Sequence, residues 1–260
     1  MSDTTNASRF APGTFVPAPR RASTSAMIKA QGRMETILFL RHGEQQLLSI
    51  IIPLGMLIIA GSIPLLGEDT GVSEILPMML AIATTSSGFT GQAIALAFDR
   101  RYGALKRTGA SGVSASIIIA GKVIAVAVMA VLQTVLLAGT AFVLGWRTDL
   151  TGALLGLVVL FAGVAAFTSL GLLMGGTFGS ELVLALANLI WVILVGIVGW
   201  VLYSQGLHDA GWYTLIPSVA LASGLTLAFD GAFPWREILV LVGWAAAASA
   251  VAVKWFRFSA

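Results

Sequence analysis

Basic side chains crowd one short segment of a sequence that is otherwise poor in charge. The segment FDRRYGALKRTGASG covers residues 98–112. Guanidinium and ammonium groups in such a loop make ionic contacts, either with anionic lipid headgroups or with a partner protein. The segment therefore predicts a binding element and not a catalytic centre. The basic residues concerned are Arg100, Arg101, Lys106 and Arg107.

Several kinds of catalytic chemistry are excluded by residue type or spacing. The chain has 0 Cys, which excludes disulfides and thiol nucleophiles, and its 2 His are His42 and His208, too far apart for a ligand pair. The segment GASGVSASIIIAGKV (109–123) does not match a phosphate-binding loop, because position 116 is Ser and Lys122 is followed by Val. If ATP drives this protein, another polypeptide binds the nucleotide.

The basic segment has helical periodicity over residues 98–108. At about 100° per residue, Phe98, Tyr102 and Leu105 fall on one side of a helix and Arg100 and Arg107 fall opposite. Glycines at the end of the segment predict a turn into the next element. Two interpretations stay open: a topology signal that binds lipid headgroups, and an amphipathic element that docks on a partner.

The elements that position this segment are membrane spans. Hydrophobic residues make up 57% of the chain and charged residues 10%, far below the quarter typical of soluble domains. A helix crossing a bilayer needs roughly 20 apolar residues, and six segments meet that requirement. The sequence therefore predicts an all-α integral membrane protein. Spans one to six are predicted near 47–66, 75–97, 117–145, 150–177, 182–203 and 237–253.

The loop charges predict the orientation of the spans. With six spans, every Lys and Arg except Arg147 and Arg236 falls on the same side as the basic segment. The positive-inside rule then places both termini and residues 98–122 in the cytoplasm. We expect a multi-pass protein of a cell membrane.

Three further segments are not spans. Residues 1–26 are polar and read as a disordered cytoplasmic tail. Residues 27–46 form an amphipathic pattern that suits an interfacial elbow helix. Residues 204–235 contain LIPSVALASGLTLAF, which is apolar but too short to cross. This last segment predicts either an interfacial helix or a re-entrant helical pair.

The middle of each predicted span lacks ionisable residues. Ion-coupled carriers usually need such residues at depth, so this composition disfavours a channel, an ion-coupled carrier or an intramembrane hydrolase. Polar uncharged residues do occur there, and they either brace neighbouring helices or line a pathway. The candidate pathway residues are Thr84, Thr85, Ser86, Ser87, Thr90, Gln92, Gln133 and Asn188.

Two stretches of sequence resemble the membrane subunit of ABC-2 type transporters, a permease group that includes bacterial drug and antibiotic exporters. RHGEQQLLSIIIPLGMLI (41–58) resembles the family's passage from elbow helix to span one. FDRRYGALKRTGASGVSASIIIAGKV (98–123) resembles its cytoplasmic loop, with Asp99-Arg100, Gly103, Leu105 and Gly121-Lys122 at the characteristic positions. The resemblance extends over about residues 27–258, and it would make 47–258 the six-span ABC-2 transmembrane domain.

The resemblance implies a mechanism. Two permeases, identical or paralogous, would form a pathway in the lipid bilayer, and two cytoplasmic ATPase subunits would bind beneath them. The chain itself would hold no cofactor, because ATP and Mg²⁺ would be bound by the ATPase, and no nucleic acid would be involved. The 98–108 helix would be the coupling helix, and Glu44 and Glu181 would lie at the cytoplasmic face. Coupling residues would be Phe98, Asp99, Arg100, Arg101, Tyr102, Gly103, Leu105, Lys106 and Arg107.

Two functional hypotheses follow. The first is an ATP-driven exporter permease, not itself an enzyme, for a lipophilic or amphipathic cargo such as a drug, an antibiotic or a lipid-like molecule. The second is a non-transporting membrane subunit that assembles or regulates another complex. Capture of an ATPase with the chain, and stimulation of ATP hydrolysis by substrate, would separate them.

Overall fold

A computed structural model of the chain describes residues 22–62 and 71–255. Within these ranges the regular structure is helical and no strand occurs. Six helices among the described residues are long and apolar enough to cross a membrane, which confirms the predicted all-α membrane class. Spans one to six are Gly43–Ser62, Val72–Arg101, Ser116–Val143, Leu150–Thr177, Ser180–Gln205 and Trp235–Ala252.

The elbow helix precedes span one and runs along span three. It covers Thr24–Arg41, and the hydroxyl of Ser23 caps its first turn by accepting from the backbone N–H of Ala26 at 3.3 Å. It ends where His42 adopts an extended conformation. The sequence placed this helix at 27–46, whereas residues 43–46 already belong to the helix of span one. Of the predicted tail 1–26, residues 1–21 lie outside the described ranges.

Spans two and four approach each other unusually closely. A Cβ on Gly171 would lie 2.6 Å from the carbonyl oxygen of Phe89, and a Cβ on Gly175 would overlap that of Ala93. Only glycine permits this distance between two helix backbones. Such contact brings the end of span two beside the end of span four, at the same end of the bundle as the loop after span two. We call this end the basic end.

A short helix before span six is buried in the opposite half of the bundle. It covers Pro217–Phe229 and begins with proline in its first turn, a favoured position because that N–H needs no partner. Ser218 donates to the carbonyl of Leu194 at 3.1 Å, in the middle of span five. Leu221 packs on Gly163, in the middle of span four, whereas Phe229 lies beside the first turn of that span.

These contacts give the short helix its depth. Its first two turns lie beside the middle of spans four and five and its last turn lies at the start of span four, so it points from the bundle interior to the end opposite the basic end. This depth favours the re-entrant alternative over the interfacial one, and we call the helix the re-entrant helix. Because protein encloses this helix, the backbone N–H and C=O groups at its ends that lack intrahelical partners do not face lipid.

Two single-turn π-helices interrupt neighbouring spans. One covers Leu47–Ile51 in span one and the other Ser86–Thr90 in span two. In span one the cause lies in the sequence, because Pro53 follows the turn and its ring cannot be accommodated beside the carbonyl four residues earlier in a regular helix. Such turns often mark functional sites.

Candidate interaction site at the basic end

The basic segment forms two helices with a sharp break between them. Span two continues to Arg101, and a separate loop helix covers Ala104–Ala110. Gly103 between them has φ +68°, the left-handed region that glycine enters without strain. The sequence predicted one helix over 98–108, but the left-handed turn changes the direction of the chain in the middle of that range.

The break separates the three residues predicted to share an apolar face. Leu105 is buried, 8% exposed, in a small cluster with Leu96, Ile118 and Leu172. Tyr102 is 65% exposed and its ring stacks on that of Phe98, with centroids 5.9 Å apart. Leu105 therefore anchors the loop helix on its own bundle, whereas Tyr102 remains available to a partner.

Arg100 points into the bundle and caps the end of span four. It is 7% exposed, and its Nη1 donates to the carbonyls of Gly175 at 2.8 Å and of Phe178 at 3.1 Å. Carbonyls in the last turn of a helix lack intrahelical partners and carry partial negative charge, so a guanidinium stabilises them. The resemblance suggested a contact surface for Arg100, but its observed contacts are within the chain.

The remaining basic residues of the segment lie at the surface. Arg101 donates to Ser180 and to Glu181, each at 3.2 Å, at the start of span five. Exposed pairs of this kind contribute little to stability. Lys106 is exposed, and exposed Arg107 donates to the carbonyl of Tyr102 at 2.9 Å. Glu44, also exposed, lies in the first turn of span one, where a carboxylate suits the helix dipole.

A buried lysine connects three elements at the basic end. Lys122 in span three is 1% exposed, and its Nζ lies 2.8 Å from Oδ2 of Asp99 and 3.0 Å from Oε2 of Glu35. Asp99 lies in the last turns of span two and Glu35 in the elbow helix. We call Glu35, Asp99 and Lys122 the Lys122 cluster.

The elbow helix is fitted closely to span three around this cluster. Gln31 donates to the other oxygen of Glu35 at 3.0 Å. Gly121 leaves no room for a side chain, since a Cβ there would overlap Gln31. The sequence did not predict the cluster: Lys122 was noted there chiefly as part of the Gly121-Lys122 pair, and nothing local to Glu35 indicates a partner so distant in sequence.

Most candidate pathway residues are buried between spans. Ser87 in the π-helical turn of span two donates to Oε1 of Gln133 in span three at 3.4 Å, and Thr85 donates to the carbonyl of Ala81 in its own helix at 2.7 Å. Asn188 is separate from this group and donates to Leu184 in its own helix at 2.9 Å. The structure thus gathers the candidates in spans two and three. Those that are buried are Thr84, Thr85, Ser86, Ser87, Thr90, Gln92 and Gln133.

Comparison with known proteins adds one finding. A family model described as ABC-2 type transporter matches residues 27–229, from the elbow helix to the end of the re-entrant helix. No curated protein and no solved structure matches the chain. The matched range is well over half of the 260 residues and contains the loop helix and the whole Lys122 cluster. This multi-pass chain therefore belongs to the ABC-2 type transporter family, whose membrane permeases normally work with an ABC ATPase partner.

Proposed function

We propose that this transporter permease works as an exporter, moving a lipophilic or amphipathic molecule out of the cytoplasm or the inner leaflet. A separate ATPase subunit binds ATP and Mg²⁺, and the permease changes between inward-open and outward-open states. The pathway forms with a second permease, identical or paralogous. The membrane is a bacterial cell membrane, with the basic end and both termini in the cytoplasm, as the distribution of Lys and Arg favours.

The single observation that carries ATPase coupling is the geometry of the loop helix. Leu105 fixes one side of it to the bundle, whereas Tyr102, Lys106 and Arg107 are exposed beside one another. Aromatic rings and arginine are enriched at protein interfaces, and the positive charge of Lys106 is complementary to an acidic partner surface. The docking surface, defined as Tyr102, Lys106 and Arg107, fits an ATPase surface with an apolar cleft and acidic rim.

Contacts between the docking surface and the rest of the bundle determine which elements would move when an ATPase displaces the loop helix. Arg100 connects it to the end of span four, and Arg101 connects it to the start of span five. The Lys122 cluster connects it to span three and to the elbow helix. A movement of the loop helix is thus passed to four elements through hydrogen bonds and ion pairs, and not to span two alone.

The composition of the spans supports this class of cargo. The polar residues in their central parts are all uncharged, and a pathway of this kind does not compensate the charge of a buried ion. A lipophilic or amphipathic cargo suits it better than an inorganic ion.

The test is co-purification with the native ATPase, followed by measurement of ATP hydrolysis with a panel of lipophilic compounds. Tyr102→Ala combined with Lys106→Ala should reduce ATPase capture without reducing the amount of permease in the membrane. Tyr203→Ala, which removes an exposed aromatic ring from the other end of the bundle, is the control and should leave capture unchanged. Equal capture by both variants contradicts the coupling role. Capture with no compound-dependent hydrolysis would instead favour the non-transporting subunit.

A further inference from the structure

The π-helical turn of span two lies at the centre of the bundle. Its residues Ser86–Thr90 are all buried, and the turn packs against spans one, three, four and five. A π turn bonds each carbonyl to the N–H five residues on instead of four, and here the N–H of Gly91 donates to the carbonyl of Ser86 in this way. Polar side chains beside the turn are cut off from bulk water, so each of them needs a partner from the protein or from bound water.

One side chain from span one contacts the turn. Nε2 of Gln45 donates to the carbonyl oxygen of Ser86 and to its hydroxyl, both at 3.0 Å. This contact adds to the backbone bond from Gly91 and connects the turn to the helix that carries the other π turn.

Four buried polar atoms around the turn have no protein partner within the part of the chain that the structure describes. Two belong to span two, one to span three and one to span four. They are Oγ1 of Thr90, Oε1 of Gln92, Nε2 of Gln133 and Oγ1 of Thr168.

Thr90 and Thr168 differ in their hydrogen bonding from two other buried threonines of the bundle. Thr85 and Thr226 are equally buried, but each donates to a carbonyl of its own helix, at 2.7 and 3.0 Å. Threonine hydroxyls in helices commonly bond this way. The hydroxyls of Thr90 and Thr168 make no such bond, so their hydrogen-bonding capacity is left for another molecule.

Each of these residues adjoins the π turn of span two. Gln133 accepts from Ser87 in the turn, at 3.4 Å. Thr168 lies against Gly88 in the turn, where a Cβ would be 3.3 Å from its backbone nitrogen. Thr90 is in the turn and Gln92 follows it directly. We call Ser87, Thr90, Gln92, Gln133 and Thr168 the polar centre.

We infer that the polar centre is a binding site for water inside the membrane-spanning bundle. A buried polar group without a partner is costly, and a water molecule with two to four polar partners removes that cost. The groups suit water: the Gln133 amide donates, the Gln92 carbonyl accepts and the threonine hydroxyls do both. Bound water would supply the partners that the protein does not give to these side-chain atoms. This inference concerns the permease alone and does not depend on the proposed function.

Radiolytic footprinting of the purified permease in nanodiscs tests this inference. X-ray pulses convert bound water to hydroxyl radicals, which oxidise adjacent side chains even when these are buried. Phe89 and Phe167 lie next to the polar centre, and both are buried. We expect oxidation of both, measured by mass spectrometry, and none at Met79, which is equally buried in span two and intrinsically more reactive. Unlabelled phenylalanines, or Met79 labelled as strongly as they are, would overturn the inference.

Variants locate the water. Gln133→Leu and, as a milder change that keeps the side-chain shape, Thr168→Val should each reduce oxidation of Phe167 towards the level of the unirradiated sample. Thr85→Val, which removes a buried hydroxyl that already has a partner, is the matched control and should leave the oxidation unchanged. Oxidation that persists at the wild-type level in both Gln133→Leu and Thr168→Val would overturn the assignment.

Discussion

Lys122 and Asp99 form an ion pair, 2.8 Å between Nζ and Oδ2, that closes the loop between spans two and three at its base. The loop helix lies between these two residues in the sequence. Its ends are therefore held together by a contact that is buried on the lysine side. Glu35 adds the elbow helix to the same contact.

The Lys122 cluster should be needed for a stable basic end. Lys122→Met leaves two carboxylates facing each other without their cation, and removing one member of a buried ion pair costs about 3–5 kcal/mol, less here because Asp99 is partly exposed. We expect a clear fall in the apparent melting temperature in detergent. The triple variant Glu35→Gln, Asp99→Asn, Lys122→Met removes the unpaired charges and should recover part of that loss. A triple variant less stable than Lys122→Met would argue against the cluster.

Substitution of Arg100 should lower the thermal stability much more than substitution of Arg101, although the two residues are adjacent and of the same type. Arg100→Ala leaves the carbonyls of Gly175 and Phe178 without this donor. An unsatisfied buried group of this kind costs about 1–3 kcal/mol. Arg101→Ala breaks an exposed pair with Glu181 and should change stability by about 0–1 kcal/mol. Thermal unfolding of the two variants side by side checks this order, and the reverse order would refute the cap.

The sequence predicts most of the fold because span signals are local. Whether a run of apolar residues is long enough to cross a bilayer can be read from that run alone. Span four, for example, was predicted at 150–177, and the structure has Leu150–Thr177. The end of the elbow helix was placed five residues too late, although Gly43 directly follows His42 and glycine commonly marks the end of a helix. Gly103 did signal a break, but helical periodicity on both sides of it favoured one continuous helix.

The site was less predictable than the spans for a physical reason. The basic residues look alike in sequence, and only the packing of span two on span four directs Arg100 inward and Arg101 outward. Lys122 meets Glu35 only because the elbow helix lies along span three. Contacts of that kind depend on the assembled bundle and leave no periodic pattern.

Gly103 should be required for the direction of the loop helix. Gly103→Ala forces a residue with a Cβ into the left-handed region, at a cost of about 1–2 kcal/mol. We expect weaker capture of the ATPase together with a modest loss of thermal stability. Gly109→Ala lies in the same loop helix with open space around it and should be neutral or slightly stabilising. Identical behaviour of the two variants would show that the break at Gly103 has no role.

The orientation can be measured directly because the chain has 0 Cys. Lys106→Cys introduces a thiol in the loop helix, and Trp212→Cys introduces one at an exposed position near the opposite end. An impermeant maleimide added to intact cells should label the second and not the first, because we propose that the basic end faces the cytoplasm. Membrane disruption should make both reactive. Labelling of Lys106→Cys in intact cells would reverse the assigned orientation.

The central claim is that an ATPase acts on the docking surface, and photo-crosslinking from that surface tests it most directly. A photoreactive phenylalanine analogue is placed at Tyr102, or at Tyr203 as the control, and the permease is irradiated together with its native ATPase. If the ATPase docks at Tyr102, a covalent adduct between permease and ATPase should form from position 102 and none from position 203. No adduct from position 102, with the ATPase still bound to the permease, would contradict it.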